Sequence, residues 1–221
     1  MPITELLSFN ARMYGQEKCL TEINMDLQES HHVSWMDYEL IENNPAGEYR
    51  REMTWKVFDE KANRFANLLL RRGIRKGDKV AILLMNCLEW LPIYFGILKA
   101  GAVAVPLNFR YTAEEIKYCL ELAEANTLIF GPEFIGRIEE IVDTLSKRRL
   151  LSYVGATPPS FAENFIVEMA DYPSMAPDII LSDDDYAAIY FSSGTTGFPK
   201  AILHKHSSDE SFANCIGKSW K

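Results

Sequence analysis

The sequence predicts an α/β protein whose sheet is mostly parallel and built from βαβ units. Short apolar segments alternate with helix-like patterns of about a dozen residues between Thr54 and Phe130. Turn residues separate these segments, as expected where strands and helices alternate. Such alternation favours right-handed crossovers between parallel strands. The 221 residues are 48% hydrophobic and 24% charged, a composition ordinary for a globular chain that buries a core.

The first predicted helix begins after Thr54, whose side chain can cap the helix N-terminus. Gly73 marks its end, and the turn at Gly77 and Asp78 leads into a strand over Lys79–Leu84. The apolar positions of the helix recur every three or four residues and are Phe58, Ala62, Phe65, Ala66 and Leu69. This spacing places them on one face, which predicts an amphipathic helix packed against the sheet.

The apolar segment Val80–Leu107 could be interpreted as a transmembrane helix or as a strand–helix–strand unit. Polar and turn residues interrupt it at Asn86, Glu89, Pro92, Lys99 and Gly101. These interruptions favour the second interpretation, with a helix over Leu88–Ala100 and a strand over Ala102–Pro106. No transmembrane segment is therefore expected.

Thr112 and Glu115 have the three-residue spacing of a capping box. They predict a third helix that continues through Ala123. A further strand is predicted over Thr127–Phe130, which is short, apolar and rich in β-formers.

Four regions follow from these elements: an N-terminal segment and connector (1–52), an α/β subdomain (53–154), a proline-rich linker (155–182) and a last region (183–221). The last region is expected to contain a strand, a glycine-rich loop and a following helix. In the connector, Trp35 and Tyr38 are expected to pack on the core. The linker is expected to hold one short helix near Phe161–Met169. The run Asp183–Asp185 could bind a cation, but a solvated turn before a buried strand is the favoured interpretation.

The net charge and the cysteine spacing restrict the partners and the cellular compartment that we expect for this protein. The net charge of −8 argues against a nucleic-acid partner and against an anionic membrane surface, since both require a basic face. The four cysteines have neither CxxC nor metal-ligand spacing, so we expect no disulfide and a reducing compartment. The first twenty residues lack the apolar core of a signal peptide. We therefore expect a cytoplasmic protein.

Residues Tyr190–Lys200 read YFSSGTTGFPK and carry most of the functional information. Glycines let successive N–H groups turn toward one anion, while hydroxyls and a lysine add donors and charge. The apolar stretch Tyr186–Phe191 predicts a buried strand that leads into this loop. A Walker P-loop is excluded, because Pro199 stands where its second glycine is required and Ala201 follows the lysine. A serine- and glycine-rich surface turn is the alternative to a phosphate site.

The run resembles the signature of the adenylate-forming superfamily, which contains acyl-CoA synthetases, peptide-synthetase adenylation domains and luciferases. The resemblance covers about residues 50–206 in order and spacing, and it favours the acyl-CoA synthetase branch. It implies that the loop surrounds the ATP phosphates while a carboxylate attacks the α-phosphate. The implied cofactor-binding residues are Ser192, Ser193, Gly194, Thr195, Thr196, Gly197, Phe198, Pro199 and Lys200.

The resemblance also implies individual roles. Lys200 would be the catalytic residue, supporting the departing pyrophosphate, and the hydroxyl of Ser192 would help to ligate Mg²⁺. Serine stands here where the family usually has threonine, and Ala201 replaces a common glycine. His206 matches a histidine that the family often has near the acyl pocket. The resemblance leaves both a substrate contact and a packing role open for it.

The implied reaction converts a carboxylic acid, with a fatty acid favoured, together with ATP and CoA into acyl-CoA, AMP and pyrophosphate. The resemblance covers only the first part of such enzymes, so the chain alone is expected to be inactive. Three alternatives stay open: a non-catalytic remnant that acts as an interaction module, one half of a split enzyme, and an adenylation domain that serves a carrier protein. A missing C-terminal half or a second copy of the chain is the expected protein partner.

Overall fold

The computed structural model describes residues 1–23, 50–145, 150–192 and 198–208. Within these ranges the helices are α1 (Ile3–Met13), α2 (Trp55–Arg71), α3 (Trp90–Lys99), α4 (Ala113–Leu122), α5 (Ile135–Glu139) and α6 (Phe165–Ala170). The strands are β1 (Lys18–Ile23), β2 (Arg50–Thr54), β3 (Lys79–Leu83), β4 (Val103–Pro106), β5 (Thr127–Phe130), β6 (Leu150–Tyr153), β7 (Glu163–Asn164), β8 (Tyr186–Ser192) and β9 (Lys200–Lys205). Two 3₁₀ turns, Pro132–Phe134 and Val142–Thr144, flank α5.

Seven of these strands form one sheet in the order β7-β6-β5-β3-β4-β8-β9. All neighbours in it are parallel except β8 and β9, which are antiparallel. The predicted α/β class with a mostly parallel sheet is therefore confirmed. A separate antiparallel pair, β1 with β2, lies beside α1 and α2.

Helices cover both faces of the large sheet. On one face α2, α3 and α6 enclose an apolar cluster that includes Phe65, Ile97 and Phe165. On the other face α4 and α5 enclose a second cluster, which includes Ile116 and Ile138. Burial on both faces explains why β3, β4 and β5 read as continuous apolar runs rather than as alternating patterns.

Two predicted helix starts are confirmed at the level of their caps. The hydroxyl of Thr54 accepts a hydrogen bond from the backbone N–H of Val57. At α4, Thr112 and Glu115 form the reciprocal capping box, each side chain accepting from the other residue's backbone N–H. Local sequence alone sets these boundaries, because each cap satisfies donors that the helix leaves unpaired.

The N-terminal connector is more regular than predicted. Residues 3–13 form α1, and Arg50–Thr54 forms β2, which pairs with Lys18–Ile23 rather than running loosely over the surface. The pairing joins segments about thirty residues apart, so no short-range turn signal in the sequence predicts it. Trp35 and Tyr38 lie outside the described residues.

The short helix predicted in the linker is present, and a strand that the sequence did not indicate precedes it. Glu163 and Asn164 form the short strand β7 beside β6, and the helix runs from Phe165 to Ala170 rather than starting near Phe161. The side chain of Asn164 caps that helix by accepting from the N–H groups of Ile166 and Val167. The proline content suggested an irregular segment, but the asparagine cap was the better local signal.

Residues 170–182, here called the strap, run from α6 to β8 along helix α2. Arg64 donates to the carbonyls of Ala170 and Tyr172. Asn67 donates to those of Pro173 and Met175, Asn63 to that of Ser174, and Lys76 to that of Ile180. The strap is thus fixed to helix α2 and to Lys76 through its main-chain oxygens.

A carboxyl pair at the β7 edge should make stability depend on pH. Burial, with a contribution from Glu163, raises the pKa of Glu168 to about 7. Arg72 donates to the carboxylate of Glu168 at 2.7 Å and also pairs with Glu163, while Ser152 donates to Glu168 at 2.7 Å. Hydrogen bonding with Glu168 and Arg72 lowers the pKa of Glu163.

Because the folded pKa of Glu168 lies above its unfolded value, its contribution is complete below about pH 4.5 and is lost as the pH rises through 7. Between pH 5 and 8, we expect the free energy of unfolding of Glu168→Gln to fall by about 1 to 3 kcal/mol less than that of the parent. Urea unfolding of parent and variant across this range measures the two slopes. Parallel slopes would contradict the expectation.

Candidate phosphate-binding site

The strands β8 and β9 form an antiparallel hairpin that brings Ser192 opposite Lys200. Ser192 is the last residue of β8 and Lys200 the first of β9, and both are exposed. Residues 193–197, which include four of the predicted phosphate contacts and Ser193, lie outside the described residues. The described part of the site is therefore its two ends.

The hairpin opens at the carboxyl edge of the parallel sheet. Strand β8 runs parallel to β4, with Ala188 opposite Ala104, so Ser192 leaves the sheet at the same edge as Pro106. Ligands of open α/β sheets bind at this edge, outside the carboxyl ends of the strands. A glycine- and hydroxyl-rich sequence at this place is typical of an anion site.

Phe198 and Pro199 lead from the loop into β9. The ring of Phe198 is half exposed and lies 4.7 Å, centroid to centroid, from the ring of Tyr118 on α4. Pro199 is buried, and Lys200 is exposed. Phe198, predicted as a cofactor contact, thus packs against the protein itself.

On the opposite face, Tyr190 connects β8 to helix α3. Its hydroxyl lies 2.9 Å from that of Tyr94, and its ring packs edge-on against His204 at 5.0 Å between centroids. Tyr94 in turn stacks on Trp90. No sequence pattern indicates this aromatic group, because its members come from three elements and share no motif.

His206 lies at the far end of β9, away from Lys200. It is buried, and its backbone N–H donates to the carbonyl of Asp185. Burial lowers the pKa of His206, although Asp185 and Asp183 oppose the shift. The structure does not bring this histidine together with the loop ends, and the substrate contact stays a prediction.

The run Asp183–Asp185 forms the turn that precedes β8. Its carboxylates pair with cations of the chain: Asp183 with the N-terminal amine, Asp184 with Lys205 and Asp185 with Lys76. The favoured interpretation of a turn before a buried strand is confirmed in its geometry. Among the residues that the structure covers, no group of three potential acidic, histidine or cysteine ligands could hold a metal ion.

The region after the loop differs from the prediction. A helix was expected to follow the loop directly, but β9 comes first, and residues 206–208 then begin a helical turn. The run Lys200–Lys205 contains the apolar residues Ile202 and Leu203, and it pairs with β8 along its whole length. An apolar segment that directly follows a strand and a short glycine-containing loop is a signal for a hairpin, and it could have predicted β9.

The family model for AMP-binding enzymes matches residues 34–218, which is most of the chain. The chain belongs to this family. Among the relatives of this chain, the long-chain-fatty-acid–CoA ligase FadD13 of Mycobacterium tuberculosis is 35% identical over 163 residues, covering 73% of this chain and 31% of the relative. The crotonobetaine/carnitine–CoA ligase of Citrobacter koseri is 35% identical over 164 residues, with coverages of 71% and 31%.

Solved structures of related enzymes agree with this family assignment. The anthranilate CoA ligase AuaEII in complex with anthranoyl-AMP superposes with a TM-score of 0.81 at 27% identity, covering 97% of this chain and 36% of the other. ATP-bound MatB of Rhodopseudomonas palustris gives 0.66 at 28% identity, with coverages of 77% and 33%. The chain therefore spans about a third of the length of these proteins, and the predicted resemblance to adenylate-forming enzymes is confirmed.

Two further expectations concern membranes and thiols. In the parts of the chain that the structure covers, no helix is long and apolar enough to cross a bilayer. Cys19, Cys87 and Cys119 are free thiols, and Cys215 lies outside the described residues. Burial raises the pKa of Cys87 to about 11 and that of Cys119 to about 12, so these two thiols are protonated at neutral pH and poorly nucleophilic.

Proposed function

We propose that this chain supplies the ATP phosphate-binding loop of an acyl-CoA synthetase. The reaction would join a carboxylic acid to CoA through an acyl-adenylate and release AMP and pyrophosphate. The observation that carries the proposal is the hairpin that sets Ser192 opposite Lys200 at the carboxyl edge of the sheet. This arrangement supports the proposal, because ligands of open α/β sheets bind outside the carboxyl ends of the strands.

Each predicted residue of the phosphate site would have a simple role. The Lys200 ammonium would neutralise charge that develops on the departing pyrophosphate. The exposed hydroxyl of Ser192 is a hard oxygen donor, which suits Mg²⁺ held mainly by phosphate oxygens and water. When bound, that ion would spread the negative charge of the phosphates. Gly194, Thr195, Thr196 and Gly197 would donate to the β- and γ-phosphates.

The chain by itself is proposed to bind phosphates without completing catalysis, since it spans about a third of its relatives. Strand β9, at one edge of the sheet, leaves Ile202 and Leu203 about half exposed on its two faces. Apolar side chains uncovered on both faces of an edge strand favour half of a larger enzyme over a self-sufficient interaction module.

Lys200→Ala should weaken binding of Mg²⁺-pyrophosphate to the chain by about 1 to 3 kcal/mol, or roughly five- to 150-fold, because a charge-assisted contact is lost. Isothermal titration calorimetry measures the dissociation constants. Lys205→Ala is the matched control, since this lysine lies at the other end of β9 and pairs with Asp184. Equal affinity in Lys200→Ala and the parent, or no binding by the parent, would refute the proposal.

A further inference from the structure

We infer that strand β7 and helix α6 (Glu163–Ala170), here called the edge flap, form a proton-controlled latch. The flap is closed on the sheet while Glu163 and Glu168 share one proton, and it opens locally when that proton is lost. It lies at the edge of the sheet opposite β9, so the inference does not depend on the phosphate site. Both carboxyl groups pair with the guanidinium of Arg72, which directly follows α2.

The two carboxyl groups connect the flap to the rest of the fold. Arg72 donates to Glu163 at 3.2 Å and to Glu168 at 2.7 Å. The hydroxyl of Ser152 on β6 donates to the other oxygen of Glu168 at 2.7 Å. Tyr172 of the strap lies near Arg72 and contributes to raising the pKa of that guanidinium. Within the described part of the chain, no other charged group contacts the Glu168 carboxyl.

The charges of this cluster balance only while one proton is present. Arg72 supplies one positive charge, so a single ionised carboxylate gives a neutral cluster and two leave one negative charge uncompensated. The Glu168 side chain is only 10% exposed, so water screens that charge poorly. Burial, with a contribution from Glu163, accordingly raises the pKa of Glu168 to about 7. Loss of the proton near neutral pH therefore sets two carboxylates against each other inside the latch.

The flap is small enough to open without the rest of the fold. Strand β7 has two residues, both paired with β6, and α6 has six. Only Phe165 and Met169 are buried, and the outer side chains of Ile166 and Val167 are exposed. Short elements with few buried side chains open at lower free energy than the core does. Opening would uncover the edge of β6 and the ring of Phe65, which lies 5.0 Å from that of Phe165.

The test is amide hydrogen exchange of the whole chain between pH 5 and 8, corrected for intrinsic exchange rates and repeated at several low urea concentrations. Protection of residues 163–170 should fall roughly ten- to seventyfold over this range, because the closed flap holds the proton more tightly than the open one. The fall should occur mainly between about pH 4.5 and 7. It should hardly depend on urea, since local opening exposes little surface, whereas amides of α4 should show the steeper urea dependence of global unfolding.

Two variants separate the proton from simple packing. Glu168→Gln should make the protection of the flap independent of pH, because the amide keeps the shape and has no proton to lose. Glu163→Gln should move the transition to lower pH, because Arg72 then compensates Glu168 alone. A side chain that acted only by packing would not shift this midpoint.

Glu60→Gln is the matched control, since this exposed glutamate on α2 pairs only weakly with Lys56, and it should keep the pH profile of the parent. Flap protection that does not change with pH in the parent would overturn the inference. So would a parent-like profile in Glu168→Gln. A urea dependence in the flap as steep as that in α4 would also overturn it, because the flap would then open only together with the whole fold.

Discussion

Replacing Lys99 with methionine should lower the free energy of unfolding by about 3 to 5 kcal/mol, the largest loss that we expect from a single substitution in this chain. The Lys99 ammonium is buried at the end of α3, with 5% of its side chain exposed. It donates to the carboxylate of Asp59 at 2.8 Å, to the amide oxygen of Asn63 at 2.7 Å and to the hydroxyl of Ser8 at 3.0 Å. These partners belong to α1 and α2, so one cation joins three helices.

Methionine has similar length and keeps the apolar packing, but it leaves the mostly buried Asp59 carboxylate without its cation. Urea unfolding measures the loss. The matched control is Lys56→Met, whose ammonium lies 3.9 Å from Glu60 in an exposed i,i+4 pair and should cost less than about 0.5 kcal/mol. The Lys99→Met, Asp59→Asn double variant should be more stable than the sum of single losses predicts. A loss in Lys99→Met as small as in the control would show that the network contributes little.

Gly96→Ala should destabilise the fold by about 2 to 3 kcal/mol, although alanine is the better helix former. A β-carbon at this position of α3 would lie 2.8 Å from the carbonyl oxygen of Ala62 and 2.8 Å from Cδ1 of Phe65. Both atoms belong to buried residues of α2 and cannot withdraw without moving that helix away. The absence of a side chain at Gly96 is what allows α2 and α3 to pack closely.

Gly136→Ala provides the comparison, because Gly136 also lies within a helix and a β-carbon added there would meet no atom within 4 Å. That change should be neutral or stabilising by up to about 1 kcal/mol. Thermal or urea unfolding of both variants measures whether each substitution lowers or raises the stability of the fold. Equal stability of Gly96→Ala and the parent would mean that the helix pair accommodates a methyl group.

The elements predictable from sequence are those whose signals are local. The capping box at Thr112 and the cap at Thr54 mark helix starts to the residue, and Gly101 marks the end of α3 with a φ of 74° that favours glycine. The predicted strand over Lys79–Leu84 is confirmed within one residue, because both of its faces are buried and nearly every position is apolar.

Long-range pairings were not predictable in the same way. The two segments of the β1–β2 pair are separated by residues 24–49, and β7 has only two residues, too few for any periodicity to show. The ion network of Lys99 has no sequence signal either, since Ser8, Asp59 and Lys99 come from three helices. In the candidate site, the motif predicted which residues lie near the hairpin, whereas the contacts of Phe198 with Tyr118 and of Tyr190 with Tyr94 are set by tertiary packing alone.

The strap implies an unequal distribution of sequence constraint along the chain. Helix α2 and Lys76 bind the strap through its carbonyl oxygens, which every amino acid possesses. The strap side chains of Met175 and Ile180 are 77% and 87% exposed. Substitutions at exposed strap positions such as Met175 and Ile180 should accordingly be tolerated so long as the backbone path is kept, whereas Tyr172 is constrained because it packs against the apolar cluster. The specifying information resides in Asn63, Arg64 and Asn67 on the helix. The exposed positions of this proline-rich segment can thus vary in sequence while β8 keeps its place in the sheet.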